Sequence, residues 1–484
     1  MKKLIVIVML AALLVSCEKD SDVPVASEEM AEYTIIYYAN GGRNLDLDSH
    51  KNLQQLYEGL RQHSQVKAVA QFKNSTDADE DMLKSLSKEG FDFVKGATYR
   101  FVMDVDASQG VQMQFTNENM LEGNVDITRA DSLASYIRYA AKACPAQHYV
   151  LILGDHGGGY LPHQDRSDTI TTRGLLFDDG HDNVCLSVCA LAQAIHASGV
   201  PIDALYLDAC LMNDMEIMYE LQPVVKYVVA ATLLTPNVGG QYTRLVERLT
   251  QSSSVEDALR GYLDDVYVHW KTSEEAGIYP GDYEQSDIAL TNTDLLVQSG
   301  PAIRQFVDEL LKAYGDGSVA PLIDSVTAKV KANDNYQSPF YDFVDYLDGF
   351  SASHFPAALR EASSQAKDAV VKGKLYARGT AHVERRGLPT YSFLLGNSGG
   401  YSINVEDSSC TVVTNRFDWD GTYTWRDMST GETIVRSWQG GDATYKNLRF
   451  EQATGMSRWL KANRQTPMKA KSEQYRGGLT IAVE

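Results

Sequence analysis

His156 and Cys210 are the residues in this 484-residue chain whose types and surroundings could do chemistry together. His156 sits in Gly154-Asp155-His156-Gly157-Gly158-Gly159, directly after the apolar run Val150-Leu151-Ile152-Leu153. Cys210 closes Asp208-Ala209-Cys210 after a second run, Ala204-Leu205-Tyr206-Leu207. A thiol nucleophile needs an imidazole that accepts its proton and later returns it to a leaving amine. The glycines after His156 let backbone approach a substrate and free the Gly157 N–H to point at a developing oxyanion, with the Cys210 N–H as second donor. A helical pattern from Asn213 onward predicts a thiol pKa below its reference of about 8.5. Each residue alone has a plainer reading, a glycine turn or a small buried cysteine. Their joint position at two strand ends favours the chemical one.

The elements that would position them read as an α/β protein with a mostly parallel sheet flanked by helices. Strands are predicted at 33–39, 66–72, 99–104, 148–153, 203–208 and 226–231. Leu53, Leu56, Tyr57 and Leu60 repeat at helical spacing, as do Leu133, Ile137 and Ala140 before Pro145. A helix near 187–197 stops at Gly199-Val200-Pro201. In such a sheet functional groups collect at the carboxyl ends of strands, so neighbouring fourth and fifth strands would present His156 and Cys210 at one edge. Past residue 250 helical stretches at 255–270, 293–314, 320–331 and 356–373 predominate, followed by shorter β-like runs. The expected division is therefore a core at 33–250 and a mixed, helix-rich C-terminal lobe at 251–484.

Apolar residues at 44% and charged residues at 22% suit a globular protein with a sizeable core. A net charge of −20 argues against nucleic acid as a partner. The first residues read as an export signal: Lys2 and Lys3, an apolar run from Leu4 to Val15 too short to span a bilayer, then Ser16 and Cys17. This resembles the lipobox of bacterial lipoproteins, with 1–16 a signal peptide, Cys17 the lipidated first residue and 17–32 a tether. The implied location is the cell envelope, lipid-anchored to a membrane, the outer one of a Gram-negative bacterium. The other cysteines, Cys144, Cys185, Cys189, Cys210 and Cys410, form neither a disulfide framework nor a zinc spacing.

The segments YVLILGDHGGGY and LYLDACLMNDMEIMYEL resemble the clostripain family of bacterial cysteine peptidases, relatives of the caspases. His156 precedes Cys210 by 54 residues, against about 50 in caspases. The likeness extends to YYANGGRNLD (37–46), GGYSINV (399–405) and YKNLRFEQATGMSRWL (445–460). It implies a caspase-like fold, a His156/Cys210 dyad and cleavage after Arg or Lys. Asp208, two residues before the cysteine, would line the pocket for the basic side chain; the competing reading is a structural acid bonded to backbone amides. The loop 231–236 departs from the family's Ser-Glu-containing pattern, so a second acidic wall is not evident. The family likeness also implies self-processing between the catalytic strands, after Arg166 or Arg173. Neither metal nor cofactor is required for the chemistry, although the acidic turn Asp178, Asp179, Asp182, with His163 and His181 in the same loop, could hold calcium. The partners implied are peptides or proteins with basic residues and, through Cys17, a membrane. The alternatives are a peptidase of the same clan with other specificity, or a peptidase-fold lipoprotein that binds peptides without cutting.

Overall fold

The computed structural model describes residues 30–42, 44–87, 93–103, 105, 119–160, 174–181, 184–275, 286–333, 340–395, 412–418, 422–427, 433–437 and 445–463. Cys17, His163, Arg166, Arg173, Asp182, Cys410 and the run 399–405 lie outside these residues. The central sheet uses β1 (Ala31–Asn40), β2 (Val66–Lys73), β3 (Thr98–Met103) and β4 (Ala146–Gly154) from the first third of the chain. After a small antiparallel pair, β5 (Leu175–Asp178) and β6 (Val184–Leu186), come β7 (Ile202–Asp208), β8 (Val225–Ala230) and β9 (Asp287–Asn292). β10 (Phe340–Asp342) pairs with β12 (Ser392–Leu394), and β11 (Lys374–Gly379) returns to the central sheet. The last three strands, β13 (Val412–Asp418), β14 (Thr422–Asp427) and β15 (Thr433–Ser437), form an antiparallel meander.

The spatial order is β11-β9-β8-β7-β4-β1-β2-β3. The five inner strands β8, β7, β4, β1 and β2 are parallel, and β3, β9 and β11 join antiparallel. This is the α/β class expected. Parallel strands covered on both faces must be largely apolar; β1 and β7 are almost wholly buried, and β4 is buried from Tyr149 to its end. The helix Asp46–Leu60 packs Leu53, Leu56, Tyr57 and Leu60 on one face, beside the helix Tyr242–Gln251. The helices Ala130–Ala143 and Val188–Ser198 cover the other. Each fully buried aliphatic or aromatic side chain stabilises the fold by about 1.5–3 kcal/mol. Gly199, left-handed at φ 68°, closes the second of these helices.

Two expectations need correction. The division at residue 250 is crossed by the sheet itself, because β9 and β11 are two of its eight strands. The helical stretch 293–314 is interrupted: a short helix Thr293–Leu296 gives way to a 3-10 turn and a new helix Gly300–Tyr314. Pro301 near its start has no N–H to donate and preorganises that new first turn.

Candidate active site

β4 and β7 are parallel neighbours with Gly154 opposite Asp208, so the residues that follow both strands leave the sheet at one edge. Their approach is close. A Cβ on Gly157 would stand 2.2 Å from the Cys210 carbonyl oxygen and 2.9 Å from the Ala209 Cβ, so only glycine fits there. Gly157 also bridges to Leu175, through a bond from the Gly158 N–H to the Gly174 carbonyl (3.0 Å), which does not draw on the Gly157 N–H. The sequence-predicted His156, Gly157 and Cys210 thus all follow neighbouring strand ends at the carboxyl edge of the sheet, with Gly157 packed on the Cys210 backbone.

His156 is held from both sides. Its Nε2 lies 2.7 Å from Oδ1 of Asn44, in the turn after β1. Its backbone N–H donates to the buried carboxylate of Asp155, which also receives Asn40 Nδ2 (3.1 Å) and the Phe177 N–H. Gly42, at φ 48°, leaves room for Asp155 and the His156 ring, where a Cβ would meet the Asp155 carboxylate at 2.1 Å. Burial lowers the His156 pKa from 6.5, opposed by a hydrogen bond to the Gly42 backbone. Burial likewise pushes the Asp155 carboxyl well above its ordinary range, against the bonds that favour its charged form.

Cys210 is two residues past β7. Its Sγ accepts the Thr235 N–H at 3.2 Å and faces the Thr235 carbonyl at 3.7 Å. Burial pushes the thiol up to about 11; the Thr235 amide lowers it and the Asp208 charge raises it. A lowered thiol pKa was expected, and the structure reverses that. The next helix, Met215–Leu221, begins five residues on, and Asp214 caps it by accepting the Glu216 and Ile217 N–H groups. Its first free N–H groups are thus taken by Asp214. Leu211, next to the cysteine, has φ 62°, a conformation that costs a non-glycine residue about 1–3 kcal/mol. Its N–H bonds to the Leu233 carbonyl (2.9 Å) and the Asn213 N–H to that of Ala231 (2.8 Å). The strap 231–235 is fixed in turn by the buried Asp287 carboxylate, which accepts the Thr232 (3.0 Å) and Leu233 (2.7 Å) N–H groups.

Asp208 is buried, with 7% exposure, and its carboxylate accepts Tyr206 Oη (3.0 Å), Tyr242 Oη (2.5 Å) and the Gly240 N–H (3.1 Å). Burial raises its pKa, and these three donors oppose the shift. Gly239, at φ 62°, passes so close that a Cβ would lie 2.6 Å from its Oδ2. The side chain is thus covered by the 239–240 backbone and satisfied by its own fold. Asp178 and Asp179 are bonded elsewhere, to Lys73 and to Thr76. Cys144, Cys185 and Cys189 remain thiols; the first two are buried and the third is half-buried.

Sequence reasoning did not single out Asn44, Asp155, Thr235 or Asp287. Asn44 lay within a quoted asparagine-rich turn and Asp155 beside the histidine, but nothing in the order of residues joined them to the ring or to β5. Thr235 acts through its backbone, which residue type does not encode.

A family model for the clostripain family matches residues 98–382, more than half the chain. Clostripain from Hathewaya histolytica is 23% identical over 235 residues, covering 45% of this chain and 42% of that protein. The chain therefore aligns with less than half of that relative's length. A secreted C11 cysteine protease from Bacteroides thetaiotaomicron, solved with an irreversible peptide inhibitor, superimposes with TM-score 0.52 at 14% identity, over 88% of this chain and 99% of that one. An inactive zymogen C11 protease from Parabacteroides distasonis gives TM-score 0.50 at 16% identity, over 89% and 99%. The family match spans the β4 and β7 ends described above, and the chain belongs to the clostripain family of cysteine peptidases.

Proposed function

We propose that the chain is a cysteine endopeptidase that hydrolyses peptide bonds after Arg or Lys through Cys210 and His156. The observation that carries this is the register of Gly154 against Asp208, with Gly157 packed on the Cys210 carbonyl. An Nε2–H donated to Asn44 leaves Nδ1 of a neutral imidazole as proton acceptor. With the thiol pKa raised and the imidazole pKa lowered, the resting pair is neutral. The proton then moves from Sγ to His156 as the thiolate attacks the carbonyl carbon. The Gly157 and Cys210 N–H groups receive the oxyanion, His156 returns the proton to the leaving amine, and water resolves the acyl-enzyme.

Asp208 supplies the negative charge for a basic side chain in this reading. The carboxylate is 7% exposed, so the 239–240 backbone must move and a guanidinium or ammonium must replace some of its present donors. The likeness to clostripain supports that preference. The reading includes self-processing after Arg166 or Arg173.

The test uses the chain from residue 18 onward on fluorogenic peptides with Arg, Lys, Asn, Asp or Ala before the scissile bond, beside Cys210→Ala. Turnover of the Arg or Lys peptides, lost in the variant, is expected, and mass mapping should find the loop cut only in the active form. Preference for Asn, Asp or Ala would replace the specificity while keeping the dyad. Silence on every peptide after loop cleavage would favour a peptide-binding protein instead.

A further inference from the structure

The acidic turn beside the site holds a cation that the chain itself provides. Lys73, the last residue of β2, is fully buried, and so is the Asp178 side chain it meets at 2.6 Å. Its ammonium also contacts Asn124 Oδ1 (2.9 Å), the Val125 carbonyl (2.9 Å) and His181 Nδ1 (3.4 Å). Gly180 wraps over it: a Cβ there would stand 3.0 Å from Nζ. Carboxylate, side-chain amide and backbone carbonyl are the oxygen donors a calcium ion takes, at about 2.3–2.6 Å. Asp126, Asp178 and His181 can bring ligand atoms within 4.8 Å of one another. Lys73 Nζ stands on Asp178 Oδ1, a donor that ion would need. A divalent ion entering this group would face a buried ammonium within a few ångströms, and like charges repel strongly at that range.

This turn reaches the catalytic histidine. Asp178 ends β5, and its neighbour Phe177 donates its N–H to Asp155, accepts from Asn40 through its carbonyl and sets its ring edge-on to His156 at 6.5 Å between centroids. Asp178 Oδ2 meanwhile accepts the Ile127 N–H at 3.2 Å, and Asp179 accepts the Thr76 N–H and hydroxyl. The β5 end is thus fastened to the β2 end by the Lys73–Asp178 ion pair and, one residue further on, by the two Thr76–Asp179 bonds.

We propose that Lys73 is a positioning residue that takes the place of a structural calcium ion, fixing β5 against Asp155 and His156, so that the peptidase works without a divalent cation. The link to rate rests on the His156 reading above; the cation arm does not.

The experiment compares the active chain with Lys73→Ala and Lys73→Met, each in EGTA and in millimolar CaCl2. It reads kcat and KM, thermal midpoint, and calcium binding by calorimetry. The wild type should bind no calcium in this turn and keep its rate and midpoint in both buffers. Lys73→Ala should lose about tenfold or more in kcat in EGTA with KM little changed, the scale on which a misplaced catalytic group loses rate. Calcium should bind it, raise its midpoint and restore most of the rate, while Lys73→Met, whose stem fills the space, should not recover. A wild type that loses activity in EGTA and regains it with calcium overturns the proposal. So does Lys73→Ala at full rate in EGTA, or a folded Lys73→Ala that binds no calcium. If Lys73→Ala unfolds in EGTA and folds with calcium, the proposal stands. A wild type inactive on every peptide would instead count against the dyad, and the binding and midpoint readings would still decide the cation question.

Discussion

Burial pushes the Cys210 thiol up to about 11 and the His156 imidazole below 6.5, so near neutral pH the sulfur keeps its proton and the ring remains an available base. A resting thiolate–imidazolium pair would give the opposite pattern, since each charge would stabilise the other. The consequence is measurable. Alkylation needs thiolate, so the rate for Cys210 with iodoacetamide should be low at pH 7 and climb as pH rises toward about 11, well past the ordinary thiol range. A rate that already levels off below pH 8 would mean that Thr235 and His156 stabilise thiolate more than burial opposes it. Asp208 shows how position and role separate at this scale. Residue type suggested a pocket wall, and the folded chain gives the carboxylate three donors of its own, some of which a basic side chain must replace for it to play that part.

At the scale of elements, the strap 231–235 holds the nucleophile and the turn that follows it. Its Thr235 amide reaches the sulfur, while Ala231 and Leu233 hold the strained turn after it. Asp287 at the start of β9 anchors the strap through two backbone N–H groups. Leaving those donors without partners in a buried setting costs about 1–3 kcal/mol each. Asp287→Ala should therefore lower the unfolding free energy by about 2 kcal/mol or more in urea titration, and at one pH its Cys210 should react faster with iodoacetamide than the wild type's. Unchanged labelling in a destabilised variant would mean that Asp287 supports the sheet edge without controlling the strap.

Across the whole molecule, segments distant in sequence complete one body. β9 and β11 extend the sheet that carries the site. The closing helices Arg449–Thr454 and Ser457–Ala462 pack Phe450, Trp459 and Leu460 into the same core as Tyr219 and Leu207. Trp459 is fully buried and meets Tyr314 edge-on at 5.1 Å. Removing so large a side chain leaves a cavity and costs about 3–5 kcal/mol. Trp459→Ala should lower the thermal midpoint of the entire protein in one transition. A separate low-temperature transition, with peptidase activity surviving beyond it, would show that the C-terminal part folds independently.

The sequence by itself determined the α/β class, because parallel strands buried on both faces must be apolar runs; the six runs predicted between 33 and 231 all coincide with strands, five of them parallel and one, β3, an antiparallel edge. It also pointed to the sheet edge beyond which His156 and Cys210 lie, since each follows a predicted strand closely and the fold brings those two strands side by side. Helices at Leu53–Leu60 and Leu133–Ala140 were legible from spacing for the same local reason. Only the tertiary structure decided the rest, because it depends on contacts between distant residues. β9 and β11 are as long as β3 and β8 but lie too far along the chain from the other strands to declare their sheet. Asn44 reaches His156 across 112 positions, Lys73 reaches Asp178 across 105, and Asp208 is covered by a loop more than thirty residues later. The thiol pKa was misjudged from sequence because burial depends on what packs around the sulfur, and the local order of residues does not contain that.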